Sequence, residues 1–398
     1  MSKKRVSGAW VDDTPHIYNT STDTFSTLPH EVIGDGTAIS SYTIKGNMTQ
    51  SGTPTPSNPV YPVETGDKTA NLLCMKNGTH TYSAQGITVT VTDNNLATFS
   101  GTATAAGGRY TRLSDTFTLQ AGTYKYRKYG TSTATPYIQN STSGTILYSP
   151  FTISEPTDVF FGVNVVEGTN YTGTTMQVML TDSNYDGDYE PYGQYKIPIL
   201  SNGTTYPVYL AEPIRKIGDS VDTLPSTGTA TRDIIKQIFT GDESVAYNSR
   251  NVQNQIAAFV ISISTTGSTT PEDVISSHLV TRTSASETLN SGGIIMRSTG
   301  NHVVVGFPYS TISVDDNMTN AECAVAMKQY LADQYTAGTP VTVWYVLATA
   351  QTESFTAPTL PTSGTAQTFD VDTTLKPSEV NLTYHGWHEH SDEKYVGG

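Results

Sequence analysis

The stretch from Leu113 to Gly193 leaves the chain few folds to choose from. Phe117 and Leu119 alternate with Thr116, Thr118 and Gln120, Ala121-Gly122 supplies a turn, and Tyr124 and Tyr126 then alternate with Lys125 and Arg127. Period-two alternation on both sides of a turn marks a hairpin with one apolar face. Phe151 and Ile153 repeat the device, Glu155-Pro156 interrupts it, Val159 to Val166 is nearly continuous apolar chain, and Met176 to Leu180 closes the stretch. Strands spaced this closely need a second sheet to cover their apolar faces. From Asn71 the runs GITVTVTD and LATFSGTATAAGG bring the count to roughly eight to ten short strands, which fits a jelly-roll or related sandwich.

The same patterning recurs further on, and the predicted fold class is all-β: two tandem jelly-roll-like β-sandwiches with one helix in the second, plus an extended N-terminal arm. At 398 residues the chain is long enough for at least two cores. Residues 1–65 read as a small strand unit or an arm ending in a stiff connector, where Pro54, Pro56, Pro59 and Pro62 remove backbone donors and exclude both helix and central strand. Residues 66–195 form the first sandwich, 196–219 a linker, 220–384 the second sandwich, and 385–398 a frayed tail. The one convincing helix spans 320–337. Thr319 or Asn320 caps it, Glu322 lies in its first turn, Ala324, Met327 and Leu331 form its apolar stripe, and Gly338 with Pro340 ends it. It is expected to pack across the second sandwich.

Charge and cysteine usage exclude several functions. With a net charge of −14 and only 22 Lys and Arg, the chain lacks the clustered cations a nucleic-acid surface needs. Its one basic run, Lys3-Lys4-Arg5, reads as a solvated terminus. Cys74 and Cys323 cannot make a disulfide framework and are expected to be buried and reduced. The N-terminus has no secretory pattern, and the longest apolar run, Ile256 to Ile263, is too short to cross a bilayer. No GxSxG, HExxH or phosphate loop occurs, and no spacing singles out a carboxylate pair for glycoside hydrolysis. The expectation is a protein that is not an enzyme.

Three constellations remain as candidate sites. Tyr124, Tyr126, Tyr129, Tyr137 and Tyr148 crowd the first sandwich, and outward aromatic rings beside Asn, Gln and Asp suit glycan stacking, although such rings also serve as core or cross-strand partners. Asp182, Asn184, Asp186 and Asp188 place oxygens at alternate positions, as in the first half of an EF-hand loop. Gly193 stands where the bidentate glutamate belongs, so what survives is a calcium site of another type or a solvated acidic turn. His385, His388 and His390 form the one histidine cluster. The LPSTG run at 224–228 reads as a Pro-Gly turn, since no membrane segment or basic tail follows it.

Several longer segments carry a resemblance. GNMTQSGTPTPSNPVYPVETGDKTANLL, the pair TFTLQAGTY and YEPYGQYKIPI, AEPIRKIGDSVDTL, and LADQYTAGTPVTVWYVLAT with LKPSEVNLTY resemble minor structural proteins of tailed bacteriophages and prophages of Gram-positive hosts, in tail, baseplate or fibre, whose sandwich modules are similar to carbohydrate-binding modules. The resemblance implies a non-enzymatic virion protein, made in the host cytoplasm and released by lysis. It implies a tail or baseplate appendage that adheres to host-surface glycan, with residues 1–65 docking on the particle. Implied partners are other virion proteins and further copies in a homotrimer, with no nucleic acid and no membrane insertion. Around such a three-fold axis the HxH pair His388 and His390 would present six imidazoles to a transition metal, as in similar patterns of phage spikes. Otherwise no cofactor is expected beyond the calcium reading above. The alternatives are a virion-associated glycan depolymerase and a head-fibre or decoration protein.

Overall fold

The alternating stretch pairs as its pattern dictates, and it does so inside a self-contained unit of residues 68–196. In the computed structural model the described residues are 42–92, 95–105, 111–201, 204–283 and 289–360, with the backbone of short strands at 3–6, 9–12, 16–19, 24–27 and 380–382. The unit holds strands β1 (Gly78–Tyr82), β2 (Ile87–Thr92), β3 (Leu96–Ser100), β4 (Phe117–Leu119), β5 (Gly122–Tyr129), β6 (Thr135–Asn140), β7 (Ile146–Leu147), β8 (Phe151–Ile153), β9 (Thr157–Asn164) and β10 (Thr175–Asp182). They form a six-stranded sheet, β8-β5-β10-β3-β2-β1, and a four-stranded one, β4-β9-β6-β7. The registers are antiparallel throughout.

Alternate residues of each strand fill the space between the two sheets. Val89, Phe99, Met176, Val178 and Leu180 from the larger sheet meet Ile138, Val159, Phe161 and Val163 from the smaller, all fully buried. The chain ends of the unit are tied to each other. Thr69 donates its backbone N–H to the Gln194 carbonyl at 2.9 Å, and Gln194 N–H returns a bond to the Thr69 hydroxyl at 3.3 Å.

The second unit is discontinuous in sequence, taking in the chain up to Asp67 and again from Ile197. The two sandwiches are therefore not in tandem: the first is inserted into the second. A five-stranded sheet (order 274–276, 342–354, 229–238, 223–225, 43–45) and a four-stranded one (245–251, 256–262, 302–308, 293–296) enclose Phe259, Ile261, Val305, Phe307, Val343 and Tyr345. Strands occupy 47% of the described residues and helix 8%, so the all-β expectation holds.

The expected arm and linker, 1–65 and 196–219, belong to this unit wherever their side chains are described. Prolines kept 50–62 out of the sheets but did not keep it off the body, and Val63–Glu64 then pair antiparallel with Met48–Thr49. Pro54 and Pro62 are buried. Gln50 donates its side-chain amide to the Ser276 carbonyl at 2.9 Å, Val60 N–H reaches the Ser277 carbonyl at 2.7 Å, and the Tyr61 hydroxyl reaches the Pro340 carbonyl at 2.8 Å. Residues 196–219 run as the hairpin Tyr195–Ser201 and Thr204–Leu210 and then the strand Lys216–Ile217, with Ile199, Val208, Leu210 and Ile214 in a small core beside Ile44 and Leu224. At 224–228 the chain makes a turn, with Gly228 at φ +81°.

The helix runs from Asn320 to Thr336, capped by Thr319 in a capping box: the Thr319 hydroxyl accepts from Glu322 N–H at 3.3 Å, and Glu322 Oε2 accepts from Thr319 N–H at 2.7 Å. Its buried face is Cys323, Met327, Tyr330 and Leu331, with Tyr330 edge-on to Phe307 at 5.2 Å; Ala324, expected in the stripe, is half-buried. Thr319→Ala is expected to lower stability by about 1 kcal/mol, read from urea denaturation followed at 222 nm. Cys323 is buried as expected. Cys74 is exposed.

Beneath the 212–222 segment lies a set of buried charges. Asp222, with no exposed surface, accepts from Asp233 N–H at 2.7 Å, Ile234 N–H at 3.0 Å and Arg215 N–H at 3.0 Å, with Arg232 at 3.7 Å. Desolvation outweighs these partners and pushes its pKa up to about 6. Since the folded value lies above the unfolded one of about 3.9, the contribution to stability is present below about pH 4 and is lost as pH rises through about 6. The stability of the wild type relative to Asp222→Asn is expected to fall by up to ~3 kcal/mol between pH 4 and 7, measured by denaturant titration at each pH.

Candidate functional site

The outer face of the four-stranded sheet is built by strand β9, whose residues alternate between two surroundings. Val159, Phe161 and Val163 point into the core, so Asp158, Phe160 and Gly162 point outward. The register sets Gln139 opposite Phe160, Tyr137 opposite Gly162 on one side and Arg112 opposite Gly162 on the other, and Thr118 opposite Asp158. Gly162 is small for a reason. A side chain there would run into the Tyr137 hydroxyl and meet the Thr111 carbonyl at 2.9 Å, so the absent Cβ lets the Tyr137 ring lie against the strand.

Phe160 is half-buried and stands at the centre. Tyr137 meets it edge-on at 6.4 Å, and the Arg112 guanidinium lies over its ring, 4.8 Å from the centroid. That guanidinium is fixed by two further bonds, Nε to the Ser114 carbonyl at 2.7 Å and Nη2 to the Thr116 hydroxyl at 2.6 Å. Gln139 is 7% exposed; its amide N–H donates to the Gly144 carbonyl at 2.7 Å, while its Oε1 is buried without a partner. An unsatisfied buried acceptor costs about 1–3 kcal/mol and is an open position for a donor. Asp158 is exposed and accepts from the Thr118 hydroxyl at 2.5 Å. The face thus offers an aromatic edge, a fixed cation and an unfilled acceptor within one cross-strand neighbourhood.

The five tyrosines read from sequence do not meet in one place. Tyr124 is a core residue, 5.9 Å from Phe151, with its hydroxyl on the Gln120 carbonyl. Tyr126 is half-buried against the same ring at 6.5 Å. Tyr129 lies on the far side of the larger sheet, edge-on to Tyr189 at 5.2 Å, and Tyr148 is 72% exposed just beyond β7. Tyr137 alone belongs to the face described above, and only 1% of it is exposed: burial pushes its hydroxyl up to about 12, against a lowering hydrogen bond from Thr111. Phe160, Arg112 and Gln139 went unread because Val159 to Val166 looks like unbroken core. The glycine inside that run was the available signal.

The acidic loop has a structural task. It folds back over the outer face of the larger sheet, where Asp186 pairs with Lys125 at 2.7 Å and Arg127 at 3.0 Å. Lys125 first, and then Arg127, hold its carboxyl below the usual carboxylate range. Arg127 also donates to the Gly187 carbonyl at 3.1 Å, Asp182 Oδ1 accepts from Asn184 N–H at 2.8 Å, and the Tyr185 hydroxyl reaches the Asp188 carbonyl at 3.0 Å. Asp186 is spent on cations and Asp182 on a turn N–H, and among the described residues no three His, Cys, Asp or Glu side chains form a metal-sized group. The calcium reading of Asp182, Asn184, Asp186 and Asp188 is corrected accordingly. His388 and His390 lie outside the described residues. Among the described residues no helix is long and apolar enough to cross a membrane. No family model, no curated protein and no solved structure matches this chain.

Proposed function

We propose that this protein is a non-enzymatic structural component of a bacteriophage virion, a tail or baseplate appendage assembled as a homotrimer, and that its inserted sandwich adheres to a host-surface glycan. The virion context rests on the sequence resemblance. The glycan reading rests on one observation: the buried, unpartnered Oε1 of Gln139 beside the half-buried ring of Phe160. A sugar offers what both lack, hydroxyl donors for the acceptor and axial C–H groups for the ring. The fixed surroundings of Phe160 keep the ordering cost of binding low.

Phe160→Ala tests the reading on a glycan array. The full-length wild type is expected to bind at least one glycan, and the variant about tenfold more weakly or worse, equivalent to about 1.4 kcal/mol. Retention of full affinity by the variant, or an array blank for wild type, defeats the assignment of this face. Release of new reducing ends from a bound polysaccharide would make the protein a depolymerase instead.

A further inference from the structure

We infer that the ligand of this face carries an anionic group, a carboxylate or a phosphate, and that Arg112 binds it; this rests on the glycan reading above and narrows its chemistry. The argument begins with charge. In a chain of net charge −14 carboxylates are plentiful: Arg127 holds Asp186, Arg215 holds Glu64 and Glu212, and Arg232 holds Glu353, while Arg250 and Arg282 are spent on backbone carbonyls. Arg112 is exposed, and among the described residues no carboxylate pairs with it. Asp158, on the same face, is turned to the Thr118 hydroxyl, and Asp115 pairs with Lys76 at 3.2 Å.

The guanidinium is also immobilised. Its Nε and one Nη2 hydrogen are committed to Ser114 and Thr116, and its plane lies over Phe160. What remains is the Nη1 edge with the second Nη2 hydrogen, which have no protein partner among the described residues. Two parallel N–H donors in one plane match the two oxygens of a carboxylate or phosphate. A ring beneath the cation strips water from one side and strengthens that match. The orientation, already fixed in the free protein, removes much of the side-chain ordering that an exposed arginine would otherwise lose on binding. Gln139 and Phe160 would then take the neutral part of the same residue of the polymer.

The experiment uses the full chain and three polymers: polygalacturonate for the carboxylate, poly(glycerol phosphate) for the phosphate, and dextran as a neutral chain. Binding is read by affinity electrophoresis and calorimetry at low and high salt. Wild type is expected to bind one of the anionic polymers, the identity of which names the group, with affinity falling as salt rises. Arg112→Ala should weaken that binding tenfold or more, and Arg112→Lys should restore only part of it, since an ammonium cannot present the planar pair. Arg112→Gln, which removes the charge but keeps a polar donor, guards against misfolding, as does an unchanged melting profile. Equal binding of the anionic polymers by wild type and both neutral variants overturns the inference. So does preference for dextran with no dependence on Arg112, an outcome that leaves the glycan reading intact. Loss of all three polymers in folded wild type fails the glycan reading itself, and this inference with it.

Discussion

Arg215→Ala is expected to destabilise the discontinuous unit by about 3–5 kcal/mol, toward the lower figure for a reason visible in the structure. Arg215 is 2% exposed and bonds Glu64 through Nε and Glu212 through Nη2, the latter at 2.6 Å. Glu212 is 54% exposed and can turn to water once its partner is gone. Glu64 cannot, being only 12% exposed and wedged against Trp344, whose indole N–H donates to it at 3.0 Å. It keeps only Lys236, at 3.7 Å, as a counter-charge. The loss is mainly the penalty of a stranded buried carboxylate, so Arg215→Met combined with Glu64→Gln should recover most of it. All three tryptophans, Trp10, Trp344 and Trp387, lie outside residues 68–196, so tryptophan emission in a urea titration carries no signal from the inserted sandwich, which has none. A change below about 1 kcal/mol would mean that the charges contribute no more than a surface pair.

Phe161→Ala is expected to cost the inserted sandwich about 3–5 kcal/mol, while Phe160→Ala, one residue away, costs it about 1–2 kcal/mol. Phe161 has no exposed surface and lies among the side chains of both sheets, so its removal combines lost burial with a cavity that two hydrogen-bonded sheets cannot close. Phe160 is half-buried on the other face and loses an edge-on ring and a cation. The pair therefore separates stability from binding on a single strand. Hydrogen exchange resolved to β9 and β10 is the measurement, and equal losses for the two variants would show that the outward face is core.

Much of the fold was legible because period-two alternation reports burial directly. Phe117, Leu119, Phe151 and Ile153 lie where that alternation puts them, and the Thr319 cap follows from local chemistry alone. What sequence could not convey was connectivity in space. The prolines keep 50–62 out of the sheets, yet ladder bonds are not the only way to hold a segment: Gln50, Val60 and Tyr61 do it through the Ser276, Ser277 and Pro340 carbonyls. Tyrosine content misled in a related way. A phenol ring has the same letter whether it fills a core, as Tyr124 does, or stands in water, as Tyr148 does. The candidate face depends on cross-strand register between residues far apart in the chain, Arg112, Gln139 and Phe160, and register is not written in any one of them.

The hydrogen bonds between Thr69 and Gln194 bring the two ends of the inserted sandwich together. A module that leaves and rejoins the chain at one point can be lengthened, shortened or replaced wholesale without altering the span that the rest of the chain must bridge. Recombination at those two positions would exchange the whole module in a single event, so that it evolves as a cassette while the scaffold around it stays the same.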